Sequence, residues 1–204
     1  ADRVVTMDVH NLAAYQNAFR CSTEHLEARH VFAEHLARIT GSAELLVLSP
    51  DAGGMKRAER FRELLESHTG RSVSNGLMEK RRSGGVVSGD LLTGDFEGRT
   101  VIVVDDLIAG GTTMVRAAAA SRKAGAKEVL AVATHGVFSA GAAAKLADSS
   151  LTKVFISDTV PLAESPRRDP LIQVISVAPF VAEAIRRMHL DESLVDMSEA
   201  YDYP

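Results

Sequence analysis

Apolar and polar positions alternate in blocks along this chain, and the clearest block runs T-V-I-V-V-D-D-L-I-A-G-G-T-T from Thr100 to Thr113. Val101 to Val104 are four consecutive β-branched residues. A short apolar run ending in acids and then glycines predicts a strand buried on both faces, as in a parallel sheet. Asp105 and Asp106 fall at its carboxyl end, and Gly110 and Gly111 form a tight turn. Thr112 and Thr113 open an alanine-rich helix that closes at Gly125. Backbone N–H groups at such a helix start face an anion, and glycines let the backbone approach it closely. The acid pair beside them suits a vicinal diol or a metal ion bound to one.

Similar blocks fill the rest of the chain. Val4 to Val9 read as a strand leading to His10, with Asp8 and His10 on one face. An extended link follows through Tyr15 and Phe19. Glu24 to Ile39 read as an amphipathic helix, with Leu26, Phe32, Leu36 and Ile39 near one stripe and Thr23 as its cap. His25, His30 and His35 step around that helix, which reads as a solvated face rather than a metal cluster. Leu45 to Leu48 form a second buried strand, followed by S-P-D-A-G-G-M-K-R. On local grounds Asp51 reads equally as a metal ligand or a helix cap. Lys56, Arg57 and Arg60 open the next helix, to about Glu66.

Val73 to Glu79 read weakly as a strand. Lys80, Arg81 and Arg82 stand before Ser83, Gly84 and Gly85, a composition that suits a mobile loop able to close over phosphates. Residues 89–98 read as a loop or short hairpin. Further strands are expected at Glu128 to Ala133, which leads to His135, at Lys153 to Ile156 and at Leu171 to Val177. A helix follows from about Ala140, Pro161 to Pro170 read as a charged linker, and Pro179 to Met188 as the last helix, before a frayed acidic tail. The alternation predicts an α/β fold: a parallel twisted sheet with helices on both faces.

Composition narrows the setting. With 204 residues, 46% of them hydrophobic, a sizeable core is expected. The net charge of −4 gives no reason to expect nucleic acid or an anionic membrane as partner. The one cysteine, Cys21, allows no internal disulfide and fits a reducing, cytoplasmic setting. No apolar run approaches the roughly 20 residues that span a bilayer. The opening A-D-R-V-V-T-M-D-V-H starts inside a strand without Met, so a missing N-terminal part is expected.

The segments M-D-V-H, S-P-D-A-G-G-M-K-R, E-K-R-R, V-I-V-V-D-D, T-H-G-V-F-S and I-Q-V-I-S-V-A-P-F-V-A-E-A-I-R-R-M-H together resemble the ribose-phosphate diphosphokinase (PRPP synthetase) family, in family order. The resemblance implies a type I phosphoribosyltransferase-like fold. It implies that residues 1–24 are the remnant of a first domain, 25–176 a phosphoribosyltransferase-like domain, and 177–204 a terminal helix and tail packing back on the first. The implied reaction moves the β,γ-diphosphoryl group of ATP to O1 of ribose 5-phosphate, giving PRPP and AMP, with Mg²⁺ as cofactor. Within it, His10, Asp51 and the nearby Asp8 are metal-site residues, and His10 also meets ATP. Lys80 and Arg82 are catalytic, Arg82 also meeting the ribose phosphate. Asp105 and Asp106 hold ribose hydroxyls, and Ala109, Gly110, Gly111, Thr112 and Thr113 cradle the 5-phosphate. A homo-oligomer, at least a dimer, is implied too, and the fragment is expected to be inactive alone. Ala109 and Gly110 depart from the family's acid and threonine. Two other readings remain, a type I phosphoribosyltransferase and a non-catalytic synthetase-like subunit.

Overall fold

A computed structural model describes residues 1–83, 86–195 and 197; the side chains of 80–83 and 86–90 lie outside that description. Seven strands form one sheet in the order β5-β4-β3-β6-β7-β8-β9. They are β3 (Leu45–Ser49), β4 (Ser74–Ser83), β5 (Val86–Thr93), β6 (Thr100–Ile108), β7 (Glu128–Gly136), β8 (Lys153–Ser157) and β9 (Ile172–Ile175). Every pairing is parallel except β4–β5, which is an antiparallel hairpin at one edge. β6 is the middle strand of this sheet, as its unbroken apolar run requires.

Helices cover both faces. Ile102 and Val104 of β6 point to one core with Phe32, Leu36, Phe61, Leu65 and Phe180. Val101 and Val103 point to the other, with Met114, Ala117, Ala118 and Leu146. The period of two along β6 therefore divides four fully apolar side chains between two layers. The first layer contains α2 (Arg29–Thr40), α3 (Met55–Thr69) and α7 (Ala178–His189); the second contains α4 (Thr112–Lys123) and α5 (Ala142–Ala147). A one-turn helix, α6 (Glu164–Arg168), lies within the segment expected as a linker.

The expected first strand is present, but the rest of the first 28 residues differs from expectation. β1 (Arg3–Met7) pairs in parallel with β2 (Ser22–Leu26) in a separate two-stranded sheet. The connection is not extended: it contains α1 (Leu12–Ala18), whose first turn is capped by the Asn11 side chain accepting the Ala14 N–H at 2.9 Å. The Tyr15 hydroxyl lies 2.9 Å from the Val4 carbonyl and 3.1 Å from that of Glu24, tying both strands to the helix. The helix expected from Glu24 starts only at Arg29, because Ser22–Leu26 take β1 as partner, so Thr23 caps nothing and Ile39 is exposed. The three histidines are not a solvated face either. His25 accepts the Val9 N–H, His30 is buried and stacks on Phe180, and His35 lies against Phe155. Burial pushes His30 down to about 4.

Candidate active site

In an open parallel sheet, ligands gather where consecutive connections leave a strand pair in opposite directions. Here that pair is β3 and β6: the chain steps from β3 outward to β4, and from β6 outward to β7. Asp51 follows β3, and Asp105 and Asp106 end the apolar part of β6. A cavity of about 370 Å³ opens there, lined by His10, Asp51, Asp105, Asp106, the whole run from Leu107 to Thr113, and Met114. Nine of the sequence-predicted residues thus line one cavity, although His10 arrives from the other sheet.

The acids are held by a shared network. Arg57, in the first turn of α3, places its two terminal nitrogens 3.1 Å from Asp105 Oδ1 and 2.9 Å from Asp106 Oδ2. His10 Nδ1 donates to the same Asp106 oxygen at 2.6 Å. Asp106 is almost wholly buried, whereas the His10 side chain is 80% exposed. Burial pushes Asp105 up to about 6, aided by the neighbouring Asp106 charge. Burial acts on Asp106 in the same sense, but the His10 hydrogen bond and the Arg57 charge outweigh it and hold that carboxyl below its usual range. The two acids are thereby made chemically unlike: Asp106 anchors the network and Asp105 faces the solvent side.

The glycine turn supplies the complementary surface. Gly111 takes φ +74° just before α4, a left-handed value that side chains with a Cβ avoid. A Cβ there would stand 3.2 Å from Leu146 of α5, so the turn and α5 are in close contact. Ser139 donates its N–H and its hydroxyl to the Ala109 carbonyl, pinning the start of the turn. Lys145 donates to the Thr112 hydroxyl at 3.0 Å. The backbone N–H groups that open α4 carry the positive end of its dipole, which suits an anion, while the acids beyond them suit hydroxyls.

Asp51 and Asp8 differ. Asp51 is exposed and accepts the Gly54 N–H at 2.9 Å, so it is a cap, with the rest of its carboxylate open to the cavity side. Asp8 is turned inward: one oxygen accepts the Ala28 N–H at 2.9 Å and the Thr134 hydroxyl at 2.6 Å. Burial pushes Asp8 up, against those two hydrogen bonds. Asp8 lines a second cavity of about 400 Å³, next to the first, which it shares with His10, Lys56, Arg57 and Asp105. Among the described residues no three His, Cys, Asp or Glu side chains converge as a metal cage. The side chains of Lys80 and Arg82 lie outside the described residues. The backbone from Lys80 to Ser83, expected to begin a mobile loop, instead continues β4 and pairs with β5, because the ladder with Val86–Asp90 supplies its hydrogen bonds; Gly84 and Gly85 lie outside the described residues. Sequence reading missed the role of Arg57, whose position in M-K-R after the glycines marked only a helix start.

Comparison with known proteins defines the class. Residues 88–199 match the family described as the phosphoribosyl synthetase-associated domain, and the chain belongs to that family. It is 40% identical over 193 residues to a ribose-phosphate pyrophosphokinase of Clostridium acetobutylicum, covering 94% of this chain and 58% of that protein. It is 35% identical to ribose-phosphate pyrophosphokinase A of Dictyostelium discoideum, covering 95% and 59%. The crystal structure of phosphoribosylpyrophosphate synthetase from Mycobacterium smegmatis superposes with a TM-score of 0.83 at 31% identity, over 94% of this chain and 60% of that one. The chain therefore spans about three-fifths of the length of the relatives it matches. No helix among the described residues is long and apolar enough to cross a membrane.

Proposed function

We propose that this chain carries the ribose 5-phosphate site of a ribose-phosphate diphosphokinase, which transfers the β,γ-diphosphoryl group of ATP to O1 of ribose 5-phosphate. The observation that carries this reading is the single cavity in which an acid pair, a glycine turn and a helix N-terminus are consecutive in sequence. Backbone N–H groups between Ala109 and Thr113 take the 5-phosphate, and Asp105 and Asp106 take the ribose hydroxyls. O1 then attacks the β-phosphorus and AMP leaves. Such a transfer depends on holding both reactants in line and on neutralising charge.

His10 and Asp51 suit Mg²⁺, which keeps several waters and takes only one or two protein ligands beside phosphate oxygens. Bound there with ATP, Mg²⁺ would withdraw charge from the transferring group. The Asp106 bond to His10 Nδ1 leaves Nε2 for that role. Asp8 belongs behind the site, since its carboxylate is already engaged by Ala28 and Thr134. Lys80 and Arg82 complete the reading as cations for the transferring group. The same reading places residues 1–24 with a preceding domain, residues 25–176 in the ribose phosphate domain, and the residues from 177 against the former. It also makes the protein a cytoplasmic homo-oligomer.

The test is an assay of the longest natural form containing these residues, with ATP, Mg²⁺ and ribose 5-phosphate. AMP formation that requires ribose 5-phosphate is expected. ATP-independent consumption of PRPP with a nitrogenous base, releasing pyrophosphate, would instead favour a phosphoribosyltransferase. Lys80→Ala should lower turnover far more than it changes ribose 5-phosphate affinity; equal losses would reduce Lys80 to a binding role.

A further inference from the structure

Within the motif T-H-G-V-F-S, His135 has no task in the site described above, yet both of its ring nitrogens are engaged. His135 Nε2 lies 3.1 Å from the Met7 carbonyl and 3.3 Å from that of Asp8. Its Nδ1 lies 2.8 Å from the Thr159 hydroxyl. Carbonyls only accept, so Nε2 carries the proton and Nδ1 accepts from Thr159 in the neutral ring. The Ser157 hydroxyl donates to the Thr134 carbonyl at 2.6 Å, and Thr159 Oγ1 sits 2.8 Å from Ser157 Oγ. Thr134 in turn donates to Asp8. The carboxyl ends of β7 and β8 thus form a polar clasp around residues 7 and 8.

What the clasp holds is the turn that delivers His10. Asp8 has φ +45°, a left-handed conformation that is uncommon without glycine. Such a conformation persists where its surroundings over-determine it. Asp8 is held by its N–H on the Leu26 carbonyl, its carboxylate on Ala28 and Thr134, and its carbonyl side on His135. Two residues later, His10 reaches Asp106. Among the described residues β1 pairs only with β2 in the sheet ladder, so no strand pairing there ties it to the sheet that carries Asp106.

We infer that His135 is a positioning residue: its grip on the Met7 and Asp8 carbonyls sets where His10 stands relative to Asp106. The functional half of this inference rests on the reading of His10 as the residue that faces metal and nucleotide. The grip itself does not.

Four variants test it. Glutamine can place an amide N–H where Nε2 stands, whereas asparagine reaches only as far as Nδ1. In this chain, His135→Ala should speed hydrogen exchange of the amides at residues 7–10 about tenfold, as loss of one buried hydrogen bond implies. His135→Gln should restore most of the protection and His135→Asn little. In the whole protein, turnover should fall in the same order, with the ribose 5-phosphate KM unchanged, because the cradle lies on β6 and α4. Wild-type protection in His135→Ala, or equal protection in the Gln and Asn variants, would overturn the assignment, since a packing role would not tell the two amides apart. If His135→Ala does not fold, Thr159→Val removes the Nδ1 partner, together with that hydroxyl's contacts to Ser157 and the Thr134 carbonyl, and should give about a threefold rise; no rise there would also overturn it. A wild-type protein that forms no AMP would sink the proposed function and leave the exchange result standing.

Discussion

The seven-stranded sheet and the β1–α1–β2 segment meet at the contact between His10 and Asp106, and each reaches it by a different route. β6 arrives through apolar packing: Val101, Ile102 and Val103 are fully buried between two helix layers. The β1 segment puts only Met7 and Leu26 against that apolar core and is otherwise held by polar bonds. Val5 is 38% exposed, Leu12 and Phe19 are also exposed, and the end of β1 is fastened by Asp8, His135 and Thr134. Apolar burial is non-directional and tolerates small shifts, whereas a hydrogen bond fixes a distance and an angle. The acid pair is therefore stable by position in the core, and His10 is placed by geometry.

That contrast is broken most severely in the core. Ile102→Ala should destabilise the chain by about 2–5 kcal/mol, as large-to-small changes in packed interiors do. Chemical denaturation measures it. A loss below about 1 kcal/mol would mean that the core around β6 closes over the cavity, and the division into rigid sheet and fastened segment would fail.

The same contrast explains what could be read without a structure. The β6 block was legible because burial on both faces leaves an unbroken apolar run, and the following acids and glycines mark its end. The central position of β6 and the cavity-lining run from Asp105 to Thr113 follow from that one stretch. The β1 strand was legible, but its pairing was not, because its partner is distant in sequence. Ser22–Leu26 have no strong period of their own and become a strand only by pairing with β1. Asn11 followed by Leu-Ala-Ala was a usable helix start that reading as an extended link overlooked. The role of Arg57 depends on two carboxylates 48 and 49 residues away, which no local pattern records.

The cradle gives a medium effect. Gly111→Val forces a β-branched residue into a left-handed conformation and brings its Cβ to 3.2 Å from Leu146. A cost of about 1–2 kcal/mol in stability is expected, with about tenfold weaker ribose 5-phosphate binding by calorimetry. Gly110→Ala sharpens the reading, since the nearest atom to its Cβ is Ser139 Oγ at 3.9 Å and its φ is not left-handed. It should cost much less. Equal losses at the two glycines would remove the special role of the Gly111 turn.

The acid pair gives a smaller effect with a defined sign. The folded chain raises Asp105 to about 6 from 3.8, so it holds that proton more tightly than the unfolded chain does. Stability contributed by this group is present below about pH 4 and is lost as pH rises through about 6. Against Asp105→Asn, the wild type should therefore lose of order 1 kcal/mol across that window. His30, pushed down to about 4, acts oppositely, since its neutral buried form loses stability as pH falls below 6.5. Because Asp105→Asn leaves His30 in place, the difference between the two unfolding curves removes the His30 contribution and reports the Asp105–Asp106 pair. A difference that rises with pH would show that Arg57 and His10 overcompensate the pair.

The smallest effect belongs to the segment that polar bonds hold. Val5 lies in β1 with more than a third of its surface exposed, and Ile185 lies on α7 with 58% exposed. Burying little, they contribute little to the fold of this chain, so Val5→Ser and Ile185→Ser should each change stability by less than about 0.5 kcal/mol. Val4 and Val181 differ from them, being partly buried, with Val181 packed against the core that holds Phe180. Val181→Ser should therefore cost more than Ile185→Ser although the two lie one helical turn apart. Paired thermal melts of the three serine variants measure this. If Val5→Ser cost as much as Ile102→Ala, apolar packing would be what anchors β1, and the polar clasp at Met7 and Asp8 would lose its place as the element that fixes His10.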